Sequence, residues 1–304
     1  MKIEVTIGVC VRNCAKDVRR IVNQISSQDF PHEKMEVIFV DDGSQDNTLF
    51  EILRYAPKMN VPYKVCQHKW KGLGYSRNVA LTNAQGAYIA WFDDGTIFPN
   101  DYIRKQVEFI EKHPDVGIVR GFVGVYSGSN RVATLENMVR LVFGHKHVGK
   151  STTNTPGSGG SVYRVKVAKQ VGGFDENIHG ACEDVDIAFR MLSAGWHIYI
   201  TPVKFLLDYD ESLRKVWNKS ASWYGYGAHY ILHKHKELRE MLPKSTPLAG
   251  FLEGILDLST VYRITYKKIA LLLPIYYSSK RIMWYIGFIK GHIDSYEPIK
   301  GIPL

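Results

Sequence analysis

Three pairs of acidic residues stand out as groups that could work together: Asp41-Asp42, Asp93-Asp94 and Glu183-Asp184. Adjacent carboxylates repel and are costly to bury unless a cation or a ligand sits beside them. Asp93-Asp94 follows the apolar run Ile89-Ala90-Trp91-Phe92 and precedes Gly95, so a buried strand delivers the pair to its end. Hard carboxylate oxygens in that position suit a divalent cation that bridges phosphates; the plainer reading is an Asp-Gly turn. Asp41-Asp42-Gly43-Ser44 offers acceptor-only oxygens to a base N–H or to ribose hydroxyls, or else serves as a strand-to-helix turn and cap. Glu183-Asp184-Val185-Asp186 opens a helix, whose positive end stabilises acids. After His179-Gly180-Ala181, Asp184 reads as a general base facing a cleft, while Asp186 can pair with Arg190 at i,i+4. Arg77 is suited to a base or a phosphate, or lies on a solvated helix face. Gly157-Ser158-Gly159-Gly160 would let backbone approach a sugar.

The elements that must position these groups are legible in order. Ile3, Val5, Ile7, Val9 and Val11 alternate as a first strand, and Val18, Ile21, Val22 and Ile25 follow at helical spacing. Met35 to Val40 is a nearly all-apolar second strand that ends in the first acid pair. Ser44 or Asp46 caps the next helix, with Phe50 and Leu53 on its inner face. Strands over 61–65 and 87–92 flank a helix over 72–84. A helix after Pro99, a strand over 116–125, a polar Gly/Ser/Thr-rich loop over 144–160, a helix over 183–194 and a strand over 196–200 follow. This alternation predicts an α/β doubly wound sheet, in which ligands bind at the carboxyl ends of strands. Both strand-end acid pairs would then share one rim. Beyond residue 210 the pattern is helical and aromatic, broken by Pro243, Pro247 and Pro274.

Composition narrows the classes. The chain has 304 residues, 45% hydrophobic and 23% charged, as an ordinary globular protein does. Cys10, Cys14, Cys66 and Cys182 lack metal-ligand spacing and fit reduced thiols in a cytoplasmic protein. Met1-Lys2 leads straight into strand pattern, so no signal peptide is expected. The nearest approach to a transmembrane run, Ile269 to Ser279, ends at Lys280-Arg281. Of the formal net charge of +9, the stretch Glu211 to Leu304 holds fourteen Lys and Arg against seven Asp and Glu. A basic C-terminal surface is thus expected, and a nucleic-acid face over the whole protein is not. The aromatics do not alternate with basics on any sheet face, and no nucleic-acid module appears.

Taken together, the pieces resemble the family 2 inverting glycosyltransferases of the GT-A fold. The likeness covers roughly residues 1–230 and lies in Thr6-Ile7-Gly8-Val9, Val40-Asp41-Asp42-Gly43-Ser44, Lys71-Gly72 to Arg77-Asn78, and Phe92-Asp93-Asp94. It continues in Gly159-Gly160, Gly172-Gly173-Phe174-Asp175-Glu176 and Glu183-Asp184 to Arg190. The resemblance implies a GT-A (Rossmann-like), mostly parallel mixed sheet with helices on both faces. It implies a catalytic, nucleotide-sugar-binding domain over 1–210 and a basic, aromatic-rich helical extension over 211–304. By the same resemblance Asp41 or Asp42 and Arg77 hold base and ribose, and Gly159 and Gly160 line the sugar. Asp93 and Asp94 bind the ribose and a divalent cation, Mg²⁺ or Mn²⁺. Asp184, with Glu183 beside it, is the base that activates the acceptor hydroxyl.

Two positions depart from the family pattern. Gly95 stands where an acid is usual, and Asp208 is the substitute for a metal-binding His after the last core strand. The QxxRW signature of processive synthases is absent, which favours single-sugar transfer. The expected donor is a UDP-sugar, then a GDP-sugar, and the acceptor a glycan or polyprenyl-linked molecule. A non-catalytic nucleotide-sugar-binding protein is the competing reading. The basic, aromatic C-terminal third adds four alternative expectations: peripheral contact with the inner face of the cell membrane, a helical cap on the catalytic domain, an acceptor contact, or a homo-oligomer contact.

Overall fold

The computed structural model describes residues 2–126, 128–153, 157–178, 181–208, 212–241 and 246–297. The chain opens with β1 (Val5–Val11), α1 (Ala15–Ser26), β2 (Met35–Asp42), α2 (Thr48–Tyr55), β3 (Tyr63–His68), α3 (Leu73–Asn83) and β4 (Tyr88–Trp91). It continues through β5 (Thr96–Ile97), α4 (Tyr102–Lys112), β6 (Val116–Val123), α5 (Arg131–His147), β7 (Lys150–Ser151), β8 (Ser161–Arg164), α6 (Val165–Gln170), α7 (Glu183–Ser193) and β9 (His197–Leu207). Then come α8 (Leu213–Asn218), a π-helical stretch over Lys219–Gly225, α9 (Tyr226–Lys234), α10 (Leu238–Met241), α11 (Pro247–Thr265) and α12 (Leu273–Ile293).

The strands form one mixed sheet in the order β3-β2-β1-β4-β8-β6-β9-β5, with β7 paired to β9. β3, β2, β1 and β4 run parallel, and β8 enters antiparallel between β4 and β6. Every residue of β2 and β4 is buried, which is why these strands read as continuous apolar runs. In β1, Gly8 lies flat under Trp91; a Cβ there would stand 2.5 Å from the indole ring. β2 and β4 both flank β1, so their carboxyl ends, with Asp41-Asp42 and Asp93-Asp94, open on the same rim.

Two compact units divide the chain. The first holds Met1–Phe122, His147–Glu176 and Glu183–Leu206; the second holds Val123–Lys146, Asn177–Cys182 and Leu207–Leu304. The sheet and all three acid pairs belong to the first. The second is helical, with a core that includes Leu135, Met138, Val216, Val261 and Leu273. Within it the buried Glu136 accepts from Tyr276 Oη (2.7 Å) and pairs with Lys280 and Arg140.

Three local expectations need correction. Phe50 and Leu53 point outward, 61% and 56% exposed, and Ile52 fills the inner face of α2 instead. The residues expected to open a loop at 144 finish α5, and Lys150–Ser151 pair with β9, so the irregular stretch is shorter than 144–160. The last strand is longer than expected, running to Leu207.

Candidate active site

The strand-end acids have different partners. Asp42 is 6% exposed and its oxygens accept from the backbone of Lys71 (2.8 Å) and Gly72 (3.0 Å), with His68 Nδ1 3.4 Å away. It holds the loop between β3 and α3. Asp41, fully buried, accepts from Ser44 N–H (3.2 Å) and the Ser44 hydroxyl through Oδ1, while its Oδ2 has no hydrogen-bond partner among the described residues. A buried carboxylate oxygen left unpaired is costly, so such an atom marks a place for a ligand donor. Gly43, at φ +67°, lets the chain turn against Trp70, where a Cβ would come within 2.5 Å of its backbone nitrogen.

Arg77 on α3 is 1% exposed and lies beneath the other two acid pairs. Its Nη2 is 3.5 Å from Asp93 Oδ1 and its Nε 3.3 Å from Glu183 Oε1. The guanidinium stacks over Trp91, 5.0 Å from the ring centroid, and Nη1 makes no hydrogen bond among the described residues. Burial opposes the charge, but Asp93 and Glu183 outweigh it and raise the Arg77 pKa further. Arg77 is thus a buried cation and not part of a solvated helix face. Next to it, Asn78 exchanges bonds with the backbone of Phe174, 2.9 Å from Nδ2 to the carbonyl and 2.8 Å from the amide to Oδ1. This ties the Gly172–Glu176 turn to α3.

Asp93 keeps a half-buried side chain at the end of β4, and Asp94 is exposed. Burial raises the Asp93 pKa; Arg77 opposes that rise and Asp184 adds to it. Asp94 and Gly95 make the turn into β5, and Gly95 takes φ +73°. A left-handed backbone costs an L-residue roughly 1–2 kcal/mol, which gives a conformational reason for glycine where the family pattern has an acid.

The Gly157–Gly160 turn connects these acids to α7. Ser158 N–H donates to Asp184 Oδ2 at 3.0 Å, and a Cβ on Gly159 would stand 2.8 Å from Asp93 Oδ2. Gly160, at φ +79°, packs against Tyr102, whose hydroxyl donates to its carbonyl at 2.5 Å. Glu183, the first residue of α7, is 2% exposed. Burial and the neighbouring Asp184 push its carboxyl up to about 8 against the pull of Arg77. Asp184 is half-buried, and its Oδ1 accepts from Val185 N–H at 2.8 Å. Asp186 is fully buried and ion-paired with Arg190, which also donates to Gly173 O at 2.6 Å. It serves the fold. His179 and Gly180 lie outside the described residues.

Thus Arg77, Asp93, Gly159, Glu183 and Asp184 are brought together, and Asp41 stands on the same rim. Asp208 follows β9, is half-buried, and belongs to the second compact unit. Among the described residues no three or more His, Cys, Asp or Glu side chains gather as a metal cluster. Asp93 and Asp94 offer hard oxygens at the end of β4, the ligand type that a divalent cation takes. Sequence reasoning did not single out Ser158 or Trp91 as partners of the acids, although both lie inside stretches it quoted.

Residues 6–172, more than half of the chain, match the family model described as Glycosyl transferase family 2. The chain belongs to glycosyl transferase family 2. Relatives of this family 2 chain include the pre-mycofactocin glycosyltransferase of Mycobacterium tuberculosis (strain CDC 1551 / Oshkosh), 28% identical over 243 residues. That match covers 77% of the chain and 48% of the relative. The poly(ribitol-phosphate) beta-N-acetylglucosaminyltransferase TarS of Staphylococcus aureus (strain Mu50 / ATCC 700699) is 32% identical over 109 residues, 36% of the chain and 19% of TarS. The family 2 chain therefore spans less than half the length of both. Among solved structures, the mannosyltransferase PcManGT from Pyrobaculum calidifontis, in complex with GDP-Man and Mn²⁺, superposes with a TM-score of 0.69 at 17% identity. The superposition covers 97% of the chain and 88% of PcManGT. S. aureus TarS 1–349 in complex with UDP-GlcNAc gives a TM-score of 0.56 at 18% identity, over 96% of the chain and 92% of that structure. At these identities the likeness shows the fold, which is GT-A.

Proposed function

We propose that this family 2 chain is an inverting glycosyltransferase that moves one sugar from a nucleotide-diphosphate sugar to a hydroxyl or phosphate of a glycan or lipid-linked acceptor. The observation that carries the reading is the Gly157–Gly160 turn, which meets Asp184 through Ser158 N–H and Asp93 through Gly159. A base candidate and a donor-binding candidate are thereby set against one backbone segment. In this reading Asp41 Oδ2 accepts from the nucleotide's base or ribose, and Asp42 shapes the adjoining loop. Arg77 fixes Asp93 and Glu183, and Gly159 keeps the space beside Asp93 free of a side chain, while Gly160 turns the backbone against Tyr102, Phe98 and Phe205.

Asp184 takes the acceptor proton as the acceptor oxygen bonds to the anomeric carbon, and the bond from that carbon to the diphosphate breaks on the opposite face. The electron pair leaves with the nucleoside diphosphate. A divalent cation on Asp93 and Asp94, when bound, would neutralise charge on the leaving diphosphate. PcManGT was solved with GDP-Man and Mn²⁺ and TarS 1–349 with UDP-GlcNAc, so both GDP- and UDP-sugars belong in the donor screen. The reading also makes the protein cytoplasmic and peripheral on the inner face of the cell membrane, on the strength of the basic, aromatic residues after 211.

The test is a screen of UDP- and GDP-sugars, with and without Mg²⁺ or Mn²⁺, for binding and for acceptor-dependent release of nucleoside diphosphate. Binding with release supports transfer. Tight binding with no release across a panel of glycan and polyprenyl phosphate acceptors supports the non-catalytic alternative.

A further inference from the structure

The polarity of α11 and α12 is inverted. A helix of a water-soluble unit turns its apolar stripe inward. On α11 the buried positions are Gly250, Gly254, Asp257 and Val261. Its exposed stripe is Leu248, Phe251, Leu252, Ile255 and Leu256, with Leu248 at 68% and Leu256 at 75% exposure. On α12 the buried positions include Gly287 and Gly291, while Ile275, Ile282, Ile286, Ile289 and Ile293 face outward. The two helices meet through small residues: a Cβ on Gly254 would stand 2.5 Å from Pro274 Cα, and one on Gly250 3.1 Å from Tyr277 O. The polar groups are turned in. Asp257 accepts from Lys146 (2.7 Å) and Tyr277 (3.0 Å), and Glu253 from Arg281 (2.9 Å). Small residues between helices, internally satisfied polar groups and apolar side chains outside are the packing pattern of helices in contact with lipid. An apolar patch of this extent marks an interaction surface.

We propose that the outward face of α11 and α12 is seated in one leaflet of a bilayer that carries anionic headgroups. This deepens, and rests on, the membrane-surface part of the proposed function. The charge around the face decides the occupant. Arg263 and Lys268 are exposed at the junction of the two helices, beside exposed Tyr262 and Tyr266. Fourteen Lys and Arg against seven Asp and Glu fill the chain from Glu211 onward. A second copy of this chain would bring a rim of the same sign, which repels, whereas anionic headgroups complement it. Tyr at the edge of an apolar face is the expected residue at the headgroup level. No helix among the described residues is long and apolar enough to cross a membrane, so the helices are proposed to lie along the leaflet.

The experiment is flotation of the full chain with phosphatidylcholine vesicles, with and without phosphatidylglycerol, at low and high salt, combined with sedimentation velocity. The pair Leu252→Glu and Leu256→Glu places charge on the outer face, where both side chains are solvent-exposed and touch no core. The expected result is that the wild type floats with anionic vesicles and keeps part of its binding at high salt. The double variant should bind about a hundredfold more weakly, with unchanged circular dichroism and donor binding. Three results would overturn the proposal: no vesicle binding by the wild type, binding fully removed by salt and indifferent to the double variant, or a dimer in solution that the variant dissociates while neither form binds vesicles. Nucleoside diphosphate release in detergent-free solution reports on the transfer reading separately, so either can fail without the other.

Discussion

Arg77 Nε lies 3.3 Å from Glu183 Oε1, with both side chains almost fully buried. A strand-end acid and a helix-start acid are thereby linked to one cation. Removing that cation takes the shared partner from Asp93 and Glu183 and pushes both carboxyls further towards the protonated form. Arg77→Met should therefore destabilise the fold by about 3–5 kcal/mol, read from denaturant midpoints. Arg77→Lys should rescue only part of this loss, since an ammonium cannot reproduce the planar stack over Trp91. Full rescue by Lys would show that charge alone matters here.

Gly159 tests the closeness of the turn to Asp93. Gly159→Ala places a methyl 2.8 Å from Asp93 Oδ2 and should push that carboxylate aside. We expect about tenfold weaker donor binding, or ~1.4 kcal/mol, by calorimetry, with little change in thermal midpoint. Unaltered donor affinity would remove Asp93 from the donor pocket.

Gly95 tests why an acid is missing. Its φ of +73° predicts that Gly95→Ala and Gly95→Asp each cost about 1–2 kcal/mol of stability. If Gly95→Asp instead gives a stable protein that binds Mn²⁺ more tightly, the glycine reflects a lost ligand and not a backbone requirement.

The second unit has its own pH signature. Burial alone would raise the Glu136 pKa, but Lys280 and Arg140 outweigh it and bring it down to about 2, from an ordinary value of 4.5. A folded-state pKa below the unfolded one stabilises the protein above pH 4.5, and that stability is lost as pH falls towards 2. Glu136→Gln should therefore be less stable than wild type at neutral pH, with the gap closing as pH falls through this window. Denaturant midpoints taken across the window check both the gap and its direction.

What was legible in the sequence followed from burial on both faces of a parallel sheet. β1 read clearly from its alternation, and β2 and β4 from their nearly all-apolar runs (the Thr6–Glu36 bond apart), buried on both faces, so the acidic ends of β2 and β4 stood out against that background. α5 did not read as a helix because polar Glu136 and Asn137 are buried along with Leu135 and Met138, so the helix carries no clean apolar stripe. Phe50, Ile52 and Leu53 are all apolar, so residue type does not tell the inner face of α2 from the outer one, and burial falls to Ile52. The difference between Asp41 and Asp42 could not be read locally. It depends on residues 71–72 returning to occupy one carboxylate and leave the other an unpaired oxygen.

Asp184→Asn measures the central claim most directly, because it keeps the size of the side chain and one oxygen to accept from Ser158 N–H, at the loss of the Val185 N–H bond, while removing the base. With donor and acceptor saturating, acceptor-dependent release of nucleoside diphosphate should fall by about 10²–10⁴-fold, and the donor dissociation constant should stay the same within about twofold. Release within a few-fold of wild type would contradict the account, because the proton would then be leaving by another route.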